Sequence, residues 1–98
     1  MSSIESIVRA RKGTAGAWRI ARVVNREGSA LMDDVFQLWH YGTCMLEWHE
    51  SEMGCTLTHT DTGWGSVSDQ NGVNKALRVL GINMRYHRDM RGGGARIV

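Results

Sequence analysis

Three of the four histidines and both cysteines fall in the stretch 35–61, which contains no Lys or Arg. His40, Cys44, His49, Cys55 and His59 are all ligand types, so metal binding is the first chemistry to consider. Zinc sites announce themselves by close pairs such as Cys-x2-Cys or His-x3-His. The spacings here are irregular, and only Cys55 and His59 share a strand face, two pleats apart. The pattern reads as buried thiols and surface histidines, with no metal and no cofactor expected. A Cys–His nucleophile pair such as Cys55 with His49 requires contact across a hairpin, which spacing cannot supply. An Asp–His–Ser set such as Asp61, His59 and Ser66 is available in almost any chain of this size. No phosphate-binding loop or paired-carboxylate signature is present, and the expectation is a protein that is not an enzyme, with no catalytic residue assigned.

The elements that must position these residues follow from periodicity. In 35–41, Val35, Gln37, Trp39 and Tyr41 alternate with Phe36, Leu38 and His40, a strand pattern, and Gly42 can bend the chain. In 43–50 the alternation puts Cys44, Leu46 and Trp48 on one face and Thr43, Met45, Glu47 and His49 on the other. Residues 51–54 supply a loop, and 55–60 alternates Cys55, Leu57 and His59 against three Thr. Two Gly bracket Trp64 in a tight turn over 61–65. A helix over 68–80 follows, with Ser66 or Ser68 as N-cap, Asp69 placed for the dipole, an apolar stripe of Val73, Ala76, Leu77 and Leu80, and Gly81 at its end. Upstream, 2–12 reads as a helix capped by Ser2 or Ser3 and ended by Gly13, with 14–16 as a turn. Residues 17–26 fit both periods; Ala and Arg content favours a helix. Residues 29–34 read as a connector anchored by Leu31 and Met32. Ile82, Met84 and Tyr86 suggest a last strand, and a mobile Gly/Arg-rich tail is expected from about residue 89.

A chain of 98 residues makes one domain, 1–98, with enough surface to bury for one core. A hydrophobic fraction of 42% and a charged fraction of 22% are those of a globular protein. No apolar run approaches the ~20 residues of a membrane span, and no signal-peptide core stands at the N-terminus, so a cytoplasmic protein with no membrane partner is expected. The two cysteines are then expected reduced. Charge is segregated: residues 1–27 and 62–98 each carry six basic and two acidic groups, whereas 28–61 carries six acidic and none basic. Either folding interleaves these blocks and neutralises them, or the surface is two-faced, with a basic side suited to nucleic acid or an acidic partner.

Four Trp against one Phe is an unusual aromatic balance. Trp64, between two Gly, is the candidate exposed anchor for protein binding, with Trp39 and Tyr41 as further candidate contacts. The competing reading has Trp64 folded over the sheet and Trp39 with Trp48 in the core or on the sheet face. Arg78, Arg85, Arg88, Arg91 and Arg96 lead into the Gly-rich segment and form the candidate nucleic-acid surface, though no recognised RNA- or DNA-binding pattern accompanies them.

The segments HYGTCMLEW, 40–48, and GWGSVSDQNGVNKALRVLG, 63–81, resemble a type of small uncharacterised protein encoded by actinobacterial phages, over about residues 39–81. The resemblance implies a phage accessory protein working inside a bacterium and brings no catalytic residue. It also implies that His40, Tyr41, Gly42, Thr43, Ser68, Asp69 and Asn74 meet in one cluster, where strand end, turn and helix start come together. The expectation is an α+β domain, a small antiparallel sheet of three to four strands packed against two or three helices. Its expected function is binding, to a host protein or to itself as a homo-oligomer; the alternative is nucleic-acid binding by the Arg-rich C-terminal third.

Overall fold

The computed structural model describes residues 3–23, 34–88 and 95–98. Helix α1 spans Ile4–Ala10. Ser3 caps it, its hydroxyl accepting the Ser6 N–H at 3.1 Å, and Arg11 ends it in the left-handed region at φ 61°, two residues before the expected stop at Gly13. Strands β1 (Gly13–Ala15), β2 (Trp18–Val23), β3 (Asp34–His40), β4 (Thr43–Ser51) and β5 (Gly54–Thr60) follow, then helix α2 (Val67–Leu80) and the short strands β6 (Tyr86–Arg88) and β7 (Ala95–Ile97).

The first five strands form one antiparallel meander in sequence order, and β6 pairs with β7 in a separate two-stranded ribbon. The class is therefore α+β, but the main sheet has five strands, not three or four. Two of the added strands were expected otherwise. Residues 14–16, expected as a turn, lie largely in β1, and 17–26, expected as a helix, yields β2; residues 24–26 of that segment lie outside the described residues, as do 29–33 of the connector. The strand wins because the alternation has a partner. Trp18 is buried and Ile20 half-buried toward the helices, and β2 pairs along its full length with β3, from Trp18 opposite His40 to Val23 opposite Val35. Helix propensity, a few tenths of a kcal/mol per residue, is easily overridden by such pairing.

The inward residues Trp18, Phe36, Leu38, Leu46 and Trp48 meet Ile7 and Val8 of α1 and Val73, Ala76, Leu77 and Leu80 of α2 in a single core. The α2 stripe is the expected one, and Gly81 closes the helix at φ 71°. Alternation fails once within β4. The ladder slips between Leu38 and Trp39, so Leu46 lies opposite Leu38 while Cys44 lies opposite Trp39. Met45 is fully buried at the slip, and Cys44 shares the face of Trp39 instead of that of Leu46 and Trp48. Tyr41, expected on the Trp39 face of the strand, instead occupies the β3–β4 turn at φ 54°. The last strand, expected over 82–87, begins only at Tyr86, and the far end of the expected tail pairs with it as β7; residues 89–94 lie outside the described residues. Asn74 fixes β6 to α2, accepting the Tyr86 N–H at 2.8 Å and donating to the Tyr86 carbonyl at 3.2 Å.

Gly72 of α2 packs directly against the Trp18 ring. A methyl group there would come within 2.6 Å of Trp18 Cε2 and closer still to the outer edge of the ring. Gly72→Ala should therefore destabilise, although Ala is the better helix former by ~1 kcal/mol. A net loss of about 1–2 kcal/mol, or roughly 5–15 °C in melting temperature, is expected. Trp18→Phe, which removes the clashing edge, should make the double variant less damaged than the sum of the two single ones. A Gly72→Ala protein that melts higher than the parent would overturn this packing.

Candidate functional site

The end of β3, the turn over 61–65 and the first turn of α2 converge on one buried carboxylate. Ser66 caps α2, its hydroxyl accepting the Asp69 N–H at 3.0 Å, while Asp69 Oδ2 accepts the Ser66 N–H at 3.1 Å, a reciprocal capping box. The same Oδ2 accepts the Trp64 N–H at 3.0 Å. Asp69 Oδ1 faces His40 Nδ1 at 2.6 Å. Asp69 is 1% exposed and His40 5%. His40 sits at the last position of β3 with its ring stacked on Trp18, centroids 4.0 Å apart and planes 8° apart. Its other nitrogen, Nε2, faces the hydroxyl of Ser68 at 3.5 Å. Ser68 itself is exposed, in the first turn of α2.

The electrostatics follow from this geometry. Burial pushes the Asp69 carboxyl up, but hydrogen bonds from His40, Ser66 and Trp64 together outweigh it, and its pKa falls below the ordinary 3.8. An ionised Asp69 against Nδ1 requires a proton on that nitrogen. In the neutral imidazole the lone pair then lies on Nε2, toward Ser68.

Two exposed aromatics rim this pair. Trp64 is 86% exposed, held by its own N–H to Asp69 and by Gly63 and Gly65 at φ 58° and 70°. It does not fold back over the sheet. Tyr41 is 70% exposed, its ring centroid 4.7 Å from that of His40 and its N–H donated to the Ala17 carbonyl at 2.9 Å. A bulky side chain at φ 54° costs of order 1 kcal/mol, which the turn must offset. Trp39 lies on the opposite face from His40, half-buried, with Arg19 4.8 Å above its ring and its Nε1 donating to Gln37 at 3.0 Å. The candidate contacts are thus split: Trp64 is tied to Asp69 and Tyr41 to His40, while Trp39 lies apart on the other face.

Of the cluster expected around His40, the structure brings together His40, Tyr41, Ser68 and Asp69, while Asn74 turns to Tyr86. The set Asp61, His59 and Ser66 is not assembled. His59 faces the Cys44 carbonyl, Asp61 accepts the Gly63 N–H, and Ser66 caps the helix. The meeting of Ser68 with His40 is implied by the phage-protein resemblance alone; the link spans 28 residues, which no local spacing reveals. The one local signal was Ser66-x-x-Asp69, a capping-box spacing.

Among the described residues no group of three or more His, Cys, Asp and Glu side chains gathers to hold a metal. Cys44 and Cys55 are free thiols whose ladder partners, Trp39 and Glu50, lie on opposite faces of the sheet. Burial, with Glu47 and Asp61 adding to it against Arg19, pushes the Cys44 thiol up to about 11. Of the arginines, Arg78, Arg85 and Arg96 are exposed, and Arg88 Nε is committed to the Gly65 carbonyl at 2.7 Å; Arg91 lies outside the described residues. Among the described residues no helix is long and apolar enough to cross a membrane.

Asp69→Asn puts an amide donor among groups that all donate, and should cost about 3 kcal/mol at pH 7 in chemical denaturation. Because the folded pKa of Asp69 is depressed, its contribution is present above about pH 4 and lost as pH falls through the folded value. The parent protein should therefore lose stability below about pH 4 more steeply than Asp69→Asn does. For Cys44, a pKa of about 11 leaves ~0.1% thiolate at pH 8. Alkylation by iodoacetamide, followed by mass spectrometry, should be about two orders of magnitude slower than at a free cysteine.

Comparison of the chain with known protein families, with curated proteins and with solved structures gave no match.

Proposed function

We propose that this chain is a small binding protein of the phage accessory type, acting in the host cytoplasm, that engages a partner protein through the rim formed by Trp64 and Tyr41. The observation that carries the reading is a Trp that is 86% exposed while its backbone is fixed on both sides. Exposed tryptophan gains nothing for the isolated fold, whereas a preorganised aromatic loses little entropy on binding. Tyr41, exposed against the His40 ring at a positive φ, supports the same end of the molecule as the binding surface. Self-association is the second form of this reading. It is supported by β5, an edge strand of the sheet whose sequence GCTLTHT carries neither Lys, Arg, Asp, Glu nor Pro to discourage pairing.

A photo-cross-linking side chain at position 64, compared with one at the equally exposed Met53, separates a specific surface from general stickiness. Specific adducts from position 64 alone are expected in host lysate or with the purified protein. Trp64→Ala and Tyr41→Ala should leave folding stability within about 0.5 kcal/mol or raise it, since both side chains are exposed. Trp64→Ala should weaken the captured interaction by about 2 kcal/mol, roughly 30-fold, in titration calorimetry. Light scattering would show a mass near twice 11.0 kDa if the partner is a second copy. Equal adducts from positions 53 and 64 would overturn the reading. A mass shift only with oligonucleotides at low salt would replace it with nucleic-acid binding through Arg78, Arg85, Arg88 and Arg96.

A further inference from the structure

Beyond binding, we propose that Ser68 is an activated nucleophile, with His40 as its general base and Asp69 as the group that orients the base, and that it accepts an acyl group from carboxylic esters. Three features of the arrangement point to it. The base is held on both sides: Asp69 Oδ1 lies 2.6 Å from Nδ1 and the Trp18 ring is stacked against the imidazole, so that Nε2 has one direction in which to face. That direction is the hydroxyl of Ser68, at 3.5 Å, a separation of the loose kind found in such pairs before substrate binds. The nucleophile is the exposed member of the three, while the base and its orienter are 5% and 1% exposed. A histidine needed only for packing has no reason to turn its second nitrogen to an exposed hydroxyl.

The helix supplies the electrostatic partner. Ser66 is the N-cap, so Val67 and Ser68 are the first two helical residues, whose N–H groups have no acceptor within α2. The Asp69 N–H is taken by the Ser66 hydroxyl and the Gln70 N–H by the Ser66 carbonyl. The first-turn donors at Val67 and Ser68, at the nucleophile's own place in the helix, are the groups assigned to an oxyanion. Trp64 and Tyr41, rimming the pair, offer apolar faces to an aryl or alkyl ester.

The step balances as an acyl transfer. The Ser68 oxygen bonds to the ester carbonyl carbon as its proton passes to His40 Nε2, and the carbonyl π pair moves onto oxygen. Collapse of this adduct breaks the bond to the leaving alkoxide, which takes the proton from His40. The products are Ser68 acyl ester and an alcohol. Water attacking the acyl ester by the same route releases a carboxylic acid and restores the Ser68 hydroxyl.

The test uses the full chain and a fluorophosphonate probe, which traps activated serines irreversibly, with p-nitrophenyl acetate as the ester. The expected result is a single adduct, mapped to Ser68 by peptide mass spectrometry, and a burst of about one p-nitrophenolate per chain. Ser68→Ala, at an exposed position where folding is retained, should abolish both. His40→Gln should slow labelling of Ser68 by about 100-fold or more, the usual contribution of a positioned base. Should that buried variant fail to fold, Ser68→Cys supplies the second arm: an activated site gives a thiol alkylated by iodoacetamide faster than free cysteine at pH 7. A folded wild-type chain that takes no label would overturn the proposal, as would label that persists in Ser68→Ala. Labelling of Ser68 that is equally fast in a folded His40→Gln protein would overturn the role of the base.

Discussion

A carboxylate with 1% of its surface exposed must be met on every side, and that requirement at Asp69 organises one whole end of the molecule. Its two oxygens receive the N–H of Trp64, the N–H of Ser66 and the Nδ1 side of His40. The three come from the loop, the helix cap and the end of β3. If any one were displaced, an ion would be left short of partners in the interior, at a cost of several kcal/mol. The turn over 61–65, the start of α2 and the register of β3 are thus set together. Gly63 belongs to the same constraint. A side chain there would crowd both Met45 Sδ at 3.0 Å and Asp69 Oδ2 at 3.2 Å, and its φ of 58° favours Gly.

The fold was legible where period and chemistry agreed. The second helix was readable because its cap, stripe and terminal Gly all point to one element, and the strands around Trp39 and Trp48 because alternation is long and β-branched and aromatic residues dominate. Residues 17–26 were not readable locally. The segment satisfies both periods, and what decides it is the pairing of Trp18 with His40 and of Ile20 with Leu38, partners about twenty residues away. The face of Cys44 was lost for a similar reason: a slip at Leu38–Trp39 breaks the two-residue period without any Gly to mark it. The site was half visible. Residue pattern places Asp69 at a helix start, and only the resemblance brings it to His40; by pattern alone that meeting depends on where a five-stranded meander ends.

The segregation of charge resolves in part by interleaving. Arg11, from the basic N-terminal block, ion-pairs with Glu50 of the acidic centre, and Arg19 lies over Trp39 on the face that also carries Glu47 and Cys44. A meander that starts basic and passes through an acidic centre brings unlike blocks side by side as neighbouring strands. Arg78, Arg85 and Arg96, on α2 and around the β6–β7 ribbon, lie outside this sheet. Strand order thus accounts for the charge pairing within the sheet, and the three exposed arginines take no part in it.

Two acidic side chains anchor the inner face of the sheet, and they differ in what they leave over. Glu50 pairs with Arg11 and accepts the indole N–H of Trp48 at 3.0 Å, with both members of the ion pair about a quarter exposed. A guanidinium has donors only and holds its proton at any ordinary pH, so that pair is complete once formed. Asp69 is matched instead with an imidazole, which has two nitrogens and needs only one of them for the carboxylate. The second nitrogen faces Ser68 at 3.5 Å, with the ring stacked on Trp18. Satisfying a buried carboxylate with Arg ends the chemistry there, whereas satisfying it with His passes a fixed basic site on to the next group. At this end of the sheet, the next group is a serine open to solvent.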